Sequence, residues 1–460
     1  KCKLLNEVMQ MTHKEYVAII MDNSLKYIDI MLNMLVDKKC VVLLDKTMPF
    51  SFLMYVLKNI DIKEIYIDDY NKKQYGEVLS GYDVCYIKEN TENVEKVSRY
   101  IYERFKIFEK IESNEDAIVF FSSGTTGQSK GIRLSYDAIK RNIESIIDYM
   151  DVENISSILI SKSFTHSSTI VGELFVGLKL GLKIYIMKTS CSYKVIIDTI
   201  MKNNIDIYCM NPTMLYMLLK AFKQRKLVPV KLKYIYVSGS ICDKKILDEA
   251  EKILKYTKVL NVYGLTELGP RVTAQRYNEF YEKGSVGKPV TDVEIKVVSN
   301  NRYCNKFEKG IVYVKTKSKM NGYCINNNYV ESEKIWFYTG DVGYINETDE
   351  LVIVGRYDNM VIIGGHNVYP EAVEEIIQMH PDVNECVVMA AEDKLYGERL
   401  QCYYTQSLPT DNAIKRSDMY IFCEKYLAKY EIPFEYICVK EIPKTRTGKK
   451  KRIRGILEIM

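Results

Sequence analysis

The feature that most constrains the fold is a regular alternation, up to about residue 265, of short apolar runs with helix-length amphipathic segments. The apolar runs are rich in Val, Ile and Tyr, which favour strands, and the longer segments carry apolar residues at helical spacing. Strands are predicted at 17–24, 40–45, 183–187, 205–211 and 232–239, and helices at 24–36, 49–60, 193–204 and 212–222. This alternation is typical of α/β domains built on a parallel sheet, in which ligands bind at the carboxyl ends of the strands.

The length of the chain predicts more than one domain, because 460 residues exceed what one hydrophobic core usually supports. From about residue 284 the pattern changes to paired strands separated by Gly, Asn and Asp turns, at 293–298, 310–316 and 349–356. A last segment carries a helix that starts near Pro370, strands at 384–392 and 400–405, and a helix over 418–430. We therefore predict a large N-terminal domain of parallel α/β layers over residues 1–357, with a β-rich subdomain at about 284–357, and a small α+β C-terminal domain over residues 358–460.

Composition argues against several other classes of protein. The twelve cysteines include no CxxC pair, and with only four histidines they indicate neither a disulfide framework nor a zinc site. The net charge of +5 comes from 65 basic and 60 acidic residues that are interspersed, so no nucleic-acid partner is expected. The basic run KKKRIR (449–454) is the exception, and it fits a solvated tail or a docking surface. No apolar run is long enough to span a membrane and no signal-peptide layout is visible, so a cytoplasmic protein is expected.

A glycine-rich loop, FFSSGTTGQSKG (120–131), follows the apolar run DAIVFF (116–121). Glycines let the backbone approach an anion, N–H groups and Ser/Thr hydroxyls donate to phosphate oxygens, and Lys130 adds a charge-assisted contact. A Walker loop would carry Gly before the lysine and Ser or Thr after it, whereas Ser129 precedes Lys130 and Gly131 follows it. The loop therefore predicts a phosphate site of another kind, against the plainer alternative of a flexible Ser/Gly loop.

This loop resembles the phosphate motif of the acyl-adenylate-forming superfamily, the AMP-dependent synthetases and ligases, which includes acyl- and aryl-CoA ligases, luciferases and peptide-synthetase adenylation domains. Further segments resemble that family's motifs in the family's order: NVYGLTELG (261–269), FYTGDVG (337–343), GRYDNMVIIGGHNVYPEAVE (355–374) and PKTRTGKKKR (443–452). The resemblance implies a large N-terminal domain and a small mobile C-terminal domain that swings at a hinge, whose position Asp358 matches.

The resemblance also implies contacts to ATP and its metal. Tyr263 is expected to stack on adenine, Thr266 to contact the α-phosphate, and Glu267 to hold Mg²⁺ with Thr125 as the second oxygen near the metal. A carboxylate is the hard oxygen ligand that magnesium prefers. Taken alone, the Tyr-Gly-x-Thr-Glu segment also fits a turn that leads into a helix. The other residues expected to bind the nucleotide are Ser122, Ser123, Gly124, Thr126, Gly127, Lys130, Gly239, Ser240, Ile241, Asn261 and Gly264.

Later motifs are expected to complete the site. The resemblance makes the Asp341 carboxylate the acceptor for both ribose hydroxyls, supported by Arg356. It places Lys449 between the substrate carboxylate and the α-phosphate, where it neutralises charge that builds up during adenylation, with Lys450 as a rival for this role. Gly364 and Gly365 are expected to line a tunnel for pantetheine once the C-terminal domain has swung. Local sequence also allows an Asx-turn at Asp341, surface charge at Lys449 and a plain β-turn at 364–365.

The acid pocket is predicted around SKSFTHSSTIVGEL (161–174), where CoA ligases carry a histidine that His166 matches. His166 is expected either beside the substrate carboxylate or in a structural role. Amino-acid-activating relatives carry an Asp at the position of Thr165, so free α-amino acids are disfavoured. Ile241 is expected to narrow the pocket. Arg271 either meets a second carboxylate of the substrate or faces solvent, and we expect solvent.

Together these expectations describe an acid:thiol ligase that forms AMP. The carboxylate of a small-molecule acid attacks the α-phosphate of MgATP to give acyl-AMP and pyrophosphate, and a thiolate, that of coenzyme A, then displaces AMP. The alternatives are transfer to the phosphopantetheine arm of an acyl carrier protein, and a catalytically silent nucleotide-binding homologue. The acid stays open among aryl, medium-chain acyl and small aliphatic acids.

Overall fold

Two eight-stranded sheets make up most of the chain as far as residue 331. The structure, a computed structural model, describes residues 15–88, 92–122, 130–227, 231–325, 328–331, 335–363, 366–393, 397–406, 414–445 and 450–452. The first sheet has the strand order Asn328–Glu331, Gly322–Ile325, Lys130–Ser135, Asp116–Ser122, Cys40–Leu43, Tyr16–Ile20, Ile62–Asp68 and Asp83–Ile87. The second has the order Lys288–Pro289, Thr273–Ala274, Lys258–Tyr263, Tyr234–Val237, Ile207–Met210, Ser157–Ile160, Lys183–Met187 and Val94–Lys96.

Helices connect the parallel strands, as the alternation predicts. They span Leu25–Val36, Phe50–Asn59, Asp69–Tyr75, Arg99–Glu109, Tyr136–Asp148, Ser167–Thr169, Val176–Lys179, Tyr193–Asn203, Pro212–Arg225 and Lys244–Ile253, with a π-helical turn at Ile170–Phe175. Their starts follow from sequence. The Ser24 hydroxyl accepts a hydrogen bond from the N–H of Tyr27, and the Asn211 side chain accepts one from the N–H of Met214 ahead of the rigid Pro212.

The main core lies between the two sheets. Ile19 and Ile118 of the first sheet and Ile158 and Ile207 of the second belong to this core. Helices that are covered by both sheets pack between them. Asn23, just after the strand Tyr16–Ile20, links the sheets by hydrogen bonds: its Nδ2 donates to Lys162 O at 2.8 Å and to Met187 O at 3.2 Å, and its Oδ1 accepts from Phe164 N at 3.0 Å. The ends of strands from both sheets are therefore held together at one edge.

A third sheet of five antiparallel strands follows, in the order Arg302–Tyr303, Val293–Ser299, Gly310–Thr316, Phe337–Ile345 and Leu351–Arg356. The stretch between Thr316 and Phe337 leaves this sheet. Its strand Gly322–Ile325 pairs antiparallel with Lys130–Ser135 of the first sheet, opposite residues 131–133. This exchange brings Tyr323 next to the end of the glycine-rich loop.

The C-terminal region contains the hairpin Val361–Ile363 and His366–Val368, the helix Pro370–Gln378 and a three-stranded sheet of Val383–Asp393, Gly397–Gln406 and Glu435–Cys438. The last helix spans Arg416–Glu424, so the predicted range of 418–430 is wrong at its end. Turns replace it, because the carboxylate of Glu431 accepts a hydrogen bond from Ala428 N at 2.9 Å and Pro433 follows. Among the described residues, no helix is both long and apolar enough to cross a bilayer.

Candidate active site

Asp341 is the centre of a group of polar contacts between the second and third sheets. It lies on Phe337–Ile345 directly opposite Arg356, whose Nη1 donates to Asp341 Oδ1 and to the carbonyl of Thr339, each at 2.9 Å. From the second sheet the Tyr263 hydroxyl donates to Asp341 Oδ2 at 2.5 Å. Asp341 is only 7% exposed. We call Asp341, Arg356, Tyr263 and Thr339 the Asp341 clamp.

The charges of the Asp341 clamp are fixed by their surroundings. Burial opposes the charge of Arg356, but Asp341 outweighs it and raises the pKa of the guanidinium. Burial and then Asp341 raise the pKa of the Tyr263 hydroxyl well above its ordinary value, so it remains a donor. Each Asp341 oxygen keeps a second lone pair, so the carboxylate can still accept the two hydroxyls of a ribose. Gly340 has φ +72, and a Cβ there would lie 2.7 Å from Arg356 Nη2, so glycine leaves room for the guanidinium.

Asn261 presents an amide oxygen that has no partner among the described residues. Its N–H donates to Gln275 Oε1 at 2.8 Å and its Nδ2 to Ser285 O at 3.1 Å, whereas its buried Oδ1 has no hydrogen-bond partner in the described part of the chain. A small pocket there is lined by Val237, Ser240, Ile241, Cys242, Asn261, Val262, Gly284, Val286 and Ile353. An unpaired buried acceptor is unfavourable unless a donor reaches it, and the amino group of an adenine is such a donor. Gly239, with φ +98, makes the turn that leads to Ser240.

Thr266 and Glu267 follow Tyr263 in one tight turn, Thr266–Leu268. The Thr266 hydroxyl lies 2.9 Å from the Ser167 hydroxyl, which connects the turn to the predicted acid pocket. Gly264 precedes the turn where the backbone of Pro270 is so close that an added Cβ would lie 1.7 Å from its carbonyl oxygen. The glycine of this motif is therefore required for packing, a role that its sequence pattern did not indicate.

Tyr323 is a site residue that the sequence analysis missed. Its hydroxyl donates to Glu267 Oε1 at 3.4 Å, and Lys130 Nζ lies 5.3 Å from the centre of its ring. Burial and then Glu267 raise the pKa of the hydroxyl, which keeps it a donor. Tyr323 thus joins the lysine of the glycine-rich loop to the carboxylate predicted to hold the metal. No motif marks it, because its strand reaches the site only through the exchange between sheets.

Arg271 corrects a prediction: it is 4% exposed, so the expectation that it faces solvent is wrong. The side chain of Asn142 holds its backbone, accepting from Arg271 N and donating to Arg271 O, each at 3.0 Å. The next residues, Thr273–Ala274, pair antiparallel with Lys258–Tyr263, so the chain turns back under the site. A local sequence pattern does not show this reversal, which carries the guanidinium inward.

His166 and Ile241 lie at the edges of the site. His166 is partly buried and precedes the short helix Ser167–Thr169, and its N–H donates to Ser163 O at 3.2 Å. Ile241 is 41% exposed at the pocket below Asn261. That His166 and Ile241 contact the acid stays a prediction.

Several predicted residues lie outside the part of the chain that the structure describes: Ser123, Gly124, Thr125, Thr126, Gly127, Gly364, Gly365 and Lys449. Ser122 is described by its backbone alone, which ends the strand Asp116–Ser122 and pairs with Lys130. Lys450, the rival of Lys449, donates to Cys386 O at 2.6 Å and to Glu374 Oε2 at 3.2 Å. Its ammonium is therefore already engaged inside the C-terminal domain.

Comparisons with known proteins identify the family and the fold. The family model for AMP-binding enzymes matches residues 4–324, and that for the C-terminal domain of AMP-binding enzymes matches residues 372–449. The 2-succinylbenzoate–CoA ligase of Bacillus pumilus is 28% identical over 352 residues, which are 76% of this chain and 70% of that protein. Among solved structures, the Bacillus subtilis o-succinylbenzoate coenzyme A synthetase (MenE) with ATP and a magnesium ion has a TM-score of 0.78 at 23% identity, covering 99% of this chain and 91% of that one. ATP-bound MatB from Rhodopseudomonas palustris has a TM-score of 0.83 at 19% identity, covering 99% and 90%.

Proposed function

Because the chain belongs to the AMP-binding enzyme family, we propose that it is an ATP-dependent acid:thiol ligase that makes an acyl-adenylate and then a coenzyme A thioester. The family model covers residues 4–324, and the solved structures share the fold over nearly the whole chain. The family that the motifs predicted and the α/β fold class that the alternation predicted are thereby confirmed. The roles of individual residues below are part of the proposal.

The observation that carries the proposal is the Asp341 clamp together with the amide oxygen of Asn261, which has no hydrogen-bond partner among the described residues. A buried carboxylate with unused lone pairs fits a ribose, and a buried amide oxygen that finds no donor in the described part of the chain fits the amino group of adenine. Tyr263 belongs to the strand that carries Asn261 and reaches the clamp through its hydroxyl, so it connects the strand of Asn261 to the clamp. The arrangement therefore supports adenosine binding at the carboxyl end of this strand.

The phosphates then extend toward the turn Thr266–Leu268 and Lys130. Thr266 has a hydroxyl that can donate to the α-phosphate, and the ammonium of Lys130 offsets phosphate charge. The carboxylate of the acid attacks the α-phosphorus, and the bond to pyrophosphate breaks as the new P–O bond forms. These residues bind, orient and stabilise charge, and no protein base is needed in this step.

The residues fit a magnesium ion. Glu267 supplies one carboxylate at the place where the phosphates would lie, and Tyr323 orients it. In the described ranges, no group of three or more His, Cys, Asp and Glu side chains would hold a metal by itself. A single carboxylate together with substrate phosphates and water is the way Mg²⁺ is commonly bound, and Thr125 would add one oxygen. When bound, the ion would neutralise phosphate charge.

The nature of the relatives suggests the acid and the thiol to test first. The relative from Bacillus pumilus is named a 2-succinylbenzoate–CoA ligase, so 2-succinylbenzoate is the first acid and coenzyme A the first acceptor. Transfer to a carrier protein is less favoured, because no named relative points to it. The second half-reaction is attack of the thiolate on the acyl carbon, with AMP as the leaving group.

The proposal includes a change of pose at Asp358 between the two half-reactions. Asp358 is exposed in the short turn Tyr357–Asn359, and its Oδ2 lies 3.8 Å from Arg356 Nη2, so the predicted hinge is adjacent to the Asp341 clamp. Asp358→Pro, which restricts the backbone there, should slow one half-reaction far more than the other. If Asp358→Pro slows both half-reactions by the same factor relative to the unaltered protein, that result would argue against a hinge at Asp358.

The test is pyrophosphate release with MgATP across aryl, fatty and amino acids, with and without coenzyme A. We expect acid-dependent release, a coenzyme A thioester as product, and loss of release in Lys449→Ala. Lys440→Ala, at an exposed lysine of the same domain, is the matched control and should behave as the unaltered protein. Absence of release with every acid would refute the proposed function, and release without a thioester would refute coenzyme A as the acceptor.

A further inference from the structure

Three charged side chains form a buried cluster below the nucleotide site: Lys162, Glu173 and Arg271. Glu173 is fully buried, and its Oε1 lies 2.7 Å from Lys162 Nζ. Arg271 is 4% exposed, forms no ion pair among the described residues, and its buried Nε has no hydrogen-bond partner there. The cluster therefore contains the Lys162–Glu173 ion pair and a guanidinium that is hydrogen-bonded to the neutral Tyr149 hydroxyl but has no ion pair among the described residues.

Three neutral groups lie within electrostatic range of Arg271. Tyr149, Tyr236 and Cys209 are all buried and within electrostatic range of it, and the Tyr236 hydroxyl also lacks a hydrogen-bond partner in the described ranges. Burial raises the pKa of the Cys209 thiol to about 12, so it carries no negative charge near neutral pH. A buried cation is costly unless an anion pairs with it. Among the residues that the structure describes, the only carboxylate recorded in electrostatic contact with Arg271 is that of Glu173, which Lys162 already holds.

The cluster is continuous with the site where the acid would react. A Cβ on Gly264, in the nucleotide-binding motif, would lie 3.1 Å from Arg271 Cα, and a Cβ on Gly172 would lie 3.2 Å from Arg271 Nη2. Gly172 belongs to the 161–174 segment predicted to form the acid pocket, and Ser167 of that segment is hydrogen-bonded to Thr266. The Arg271 guanidinium is thus next to the predicted acid pocket, and its backbone is next to the nucleotide-binding motif.

We propose that Arg271 binds a second carboxylate of the acid substrate, so that the enzyme activates dicarboxylic acids in preference to monocarboxylic acids. The inference rests on the proposed ligase function and names its substrate class. The planar guanidinium can donate two parallel hydrogen bonds to a carboxylate, and the Tyr236 hydroxyl is a further donor. Arg271 holds the second carboxylate of the acid while the first carboxylate attacks the α-phosphorus.

A purely structural role for Arg271 would be the neutralisation of Glu173. Lys162 performs that role at 2.7 Å, whereas Arg271 makes no ion pair with Glu173. Burial raises the pKa of Glu173 despite opposition from Lys162 and Arg271, which further reduces the negative charge available to both cations. The excess of positive charge in the cluster therefore persists whether Glu173 is ionised or protonated.

The test compares matched acids that differ by one carboxylate: 2-succinylbenzoate against 4-oxo-4-phenylbutanoate, and straight-chain diacids against monoacids of equal length. We expect kcat/KM for pyrophosphate release to favour the diacid about 10- to 100-fold. Arg271→Gln should abolish this preference and leave the KM for ATP unchanged. Arg276→Gln, at a partly exposed arginine that pairs with Asp148 and Glu279, should keep it.

The outcomes separate the two proposals. Activity of the unaltered protein with monoacids that equals its activity with the matched diacids would overturn this inference and leave the ligase function standing. Inactivity with every acid would overturn the ligase function and this inference with it. If thermal unfolding shows that Arg271→Gln does not fold, the preference of the unaltered protein among matched acids decides alone.

Discussion

Replacing Glu374 by glutamine should destabilise the C-terminal domain and slow only the first half-reaction, because Glu374 is the buried counter-ion of the cations that follow Lys449. Glu374 is 5% exposed on the helix Pro370–Gln378. Its Oε2 lies 3.2 Å from Lys450 Nζ, and its Oε1 lies 2.6 Å from Arg452 Nη1 and 2.8 Å from Val388 N. Lys450 is adjacent in sequence to Lys449, so Glu374 is a positioning residue for the lysine expected to serve adenylation.

The magnitude follows from what each partner loses. Removal of one member of a buried ion pair typically costs about 3–5 kcal/mol. Glutamine keeps an oxygen for Val388 N, Lys450 keeps the carbonyl of Cys386, and Arg452 keeps Glu371 at 3.4 Å. We therefore expect the lower end, about 3 kcal/mol in the free energy of unfolding of this domain. A displaced reactive group commonly costs about 100-fold in rate, which is the loss expected in acyl-AMP formation.

The assay measures the half-reactions separately, as acyl-AMP formation from acid and MgATP, and as thioester formation from supplied acyl-AMP and coenzyme A. Glu374→Gln should lose the first and keep the second. Glu375→Gln is the matched control, since Glu375 pairs with Lys244 at 3.0 Å in a partly exposed ion pair worth about 0–1 kcal/mol. An equal loss in both half-reactions, or an unchanged first half-reaction, would refute the positioning role.

Three further outcomes are expected. Burial tends to raise the pKa of Glu374, but Lys450 and Arg452 outweigh burial and leave the pKa below its ordinary value. The stability that Glu374 confers is therefore complete above about pH 4.3 and is lost as pH falls through the lowered pKa. In acid denaturation, the difference in stability between the unaltered protein and Glu374→Gln should therefore narrow. Asp341→Ala removes the ribose acceptor and should weaken ATP binding about 10- to 100-fold by calorimetry, and unchanged affinity would contradict the clamp. Tyr323→Phe removes the hydrogen bond to Glu267 and should raise the Mg²⁺ concentration for half-maximal rate about 2- to 10-fold with little change in kcat, whereas an unaltered Mg²⁺ dependence would leave Tyr323 a packing role.

The sequence predicts features that depend on neighbouring residues. The strand Lys183–Met187 and the start of the helix at Pro212 match their predicted positions, because apolar periodicity and capping residues act locally. The resemblance also named Asp341, Arg356 and Tyr263, which the structure brings into one group. Their mutual hydrogen bonds follow from the pairing of distant strands, and no local pattern shows it.

Long-range chain reversals account for what the sequence did not predict. Tyr323 reaches Glu267 because its strand joins the first sheet, and Arg271 turns inward because Asn142 fixes its backbone from another helix. An arginine in a short polar segment is usually exposed, so composition favoured the wrong environment for Arg271. Glu374 was missed for the same reason, since its partners follow more than 70 residues later in the chain, at Lys450 and Arg452.

The central claim is that a carboxylate oxygen of the substrate attacks the α-phosphorus of ATP, and isotope transfer tests it most directly. The acid is labelled with ¹⁸O in its carboxylate and incubated with MgATP and coenzyme A, and the nucleotide and phosphate products are examined by mass spectrometry. We predict that AMP carries one labelled oxygen, that pyrophosphate carries none, and that the acyl group is recovered as a thioester. Unlabelled AMP, or labelled inorganic phosphate formed together with ADP, would contradict it.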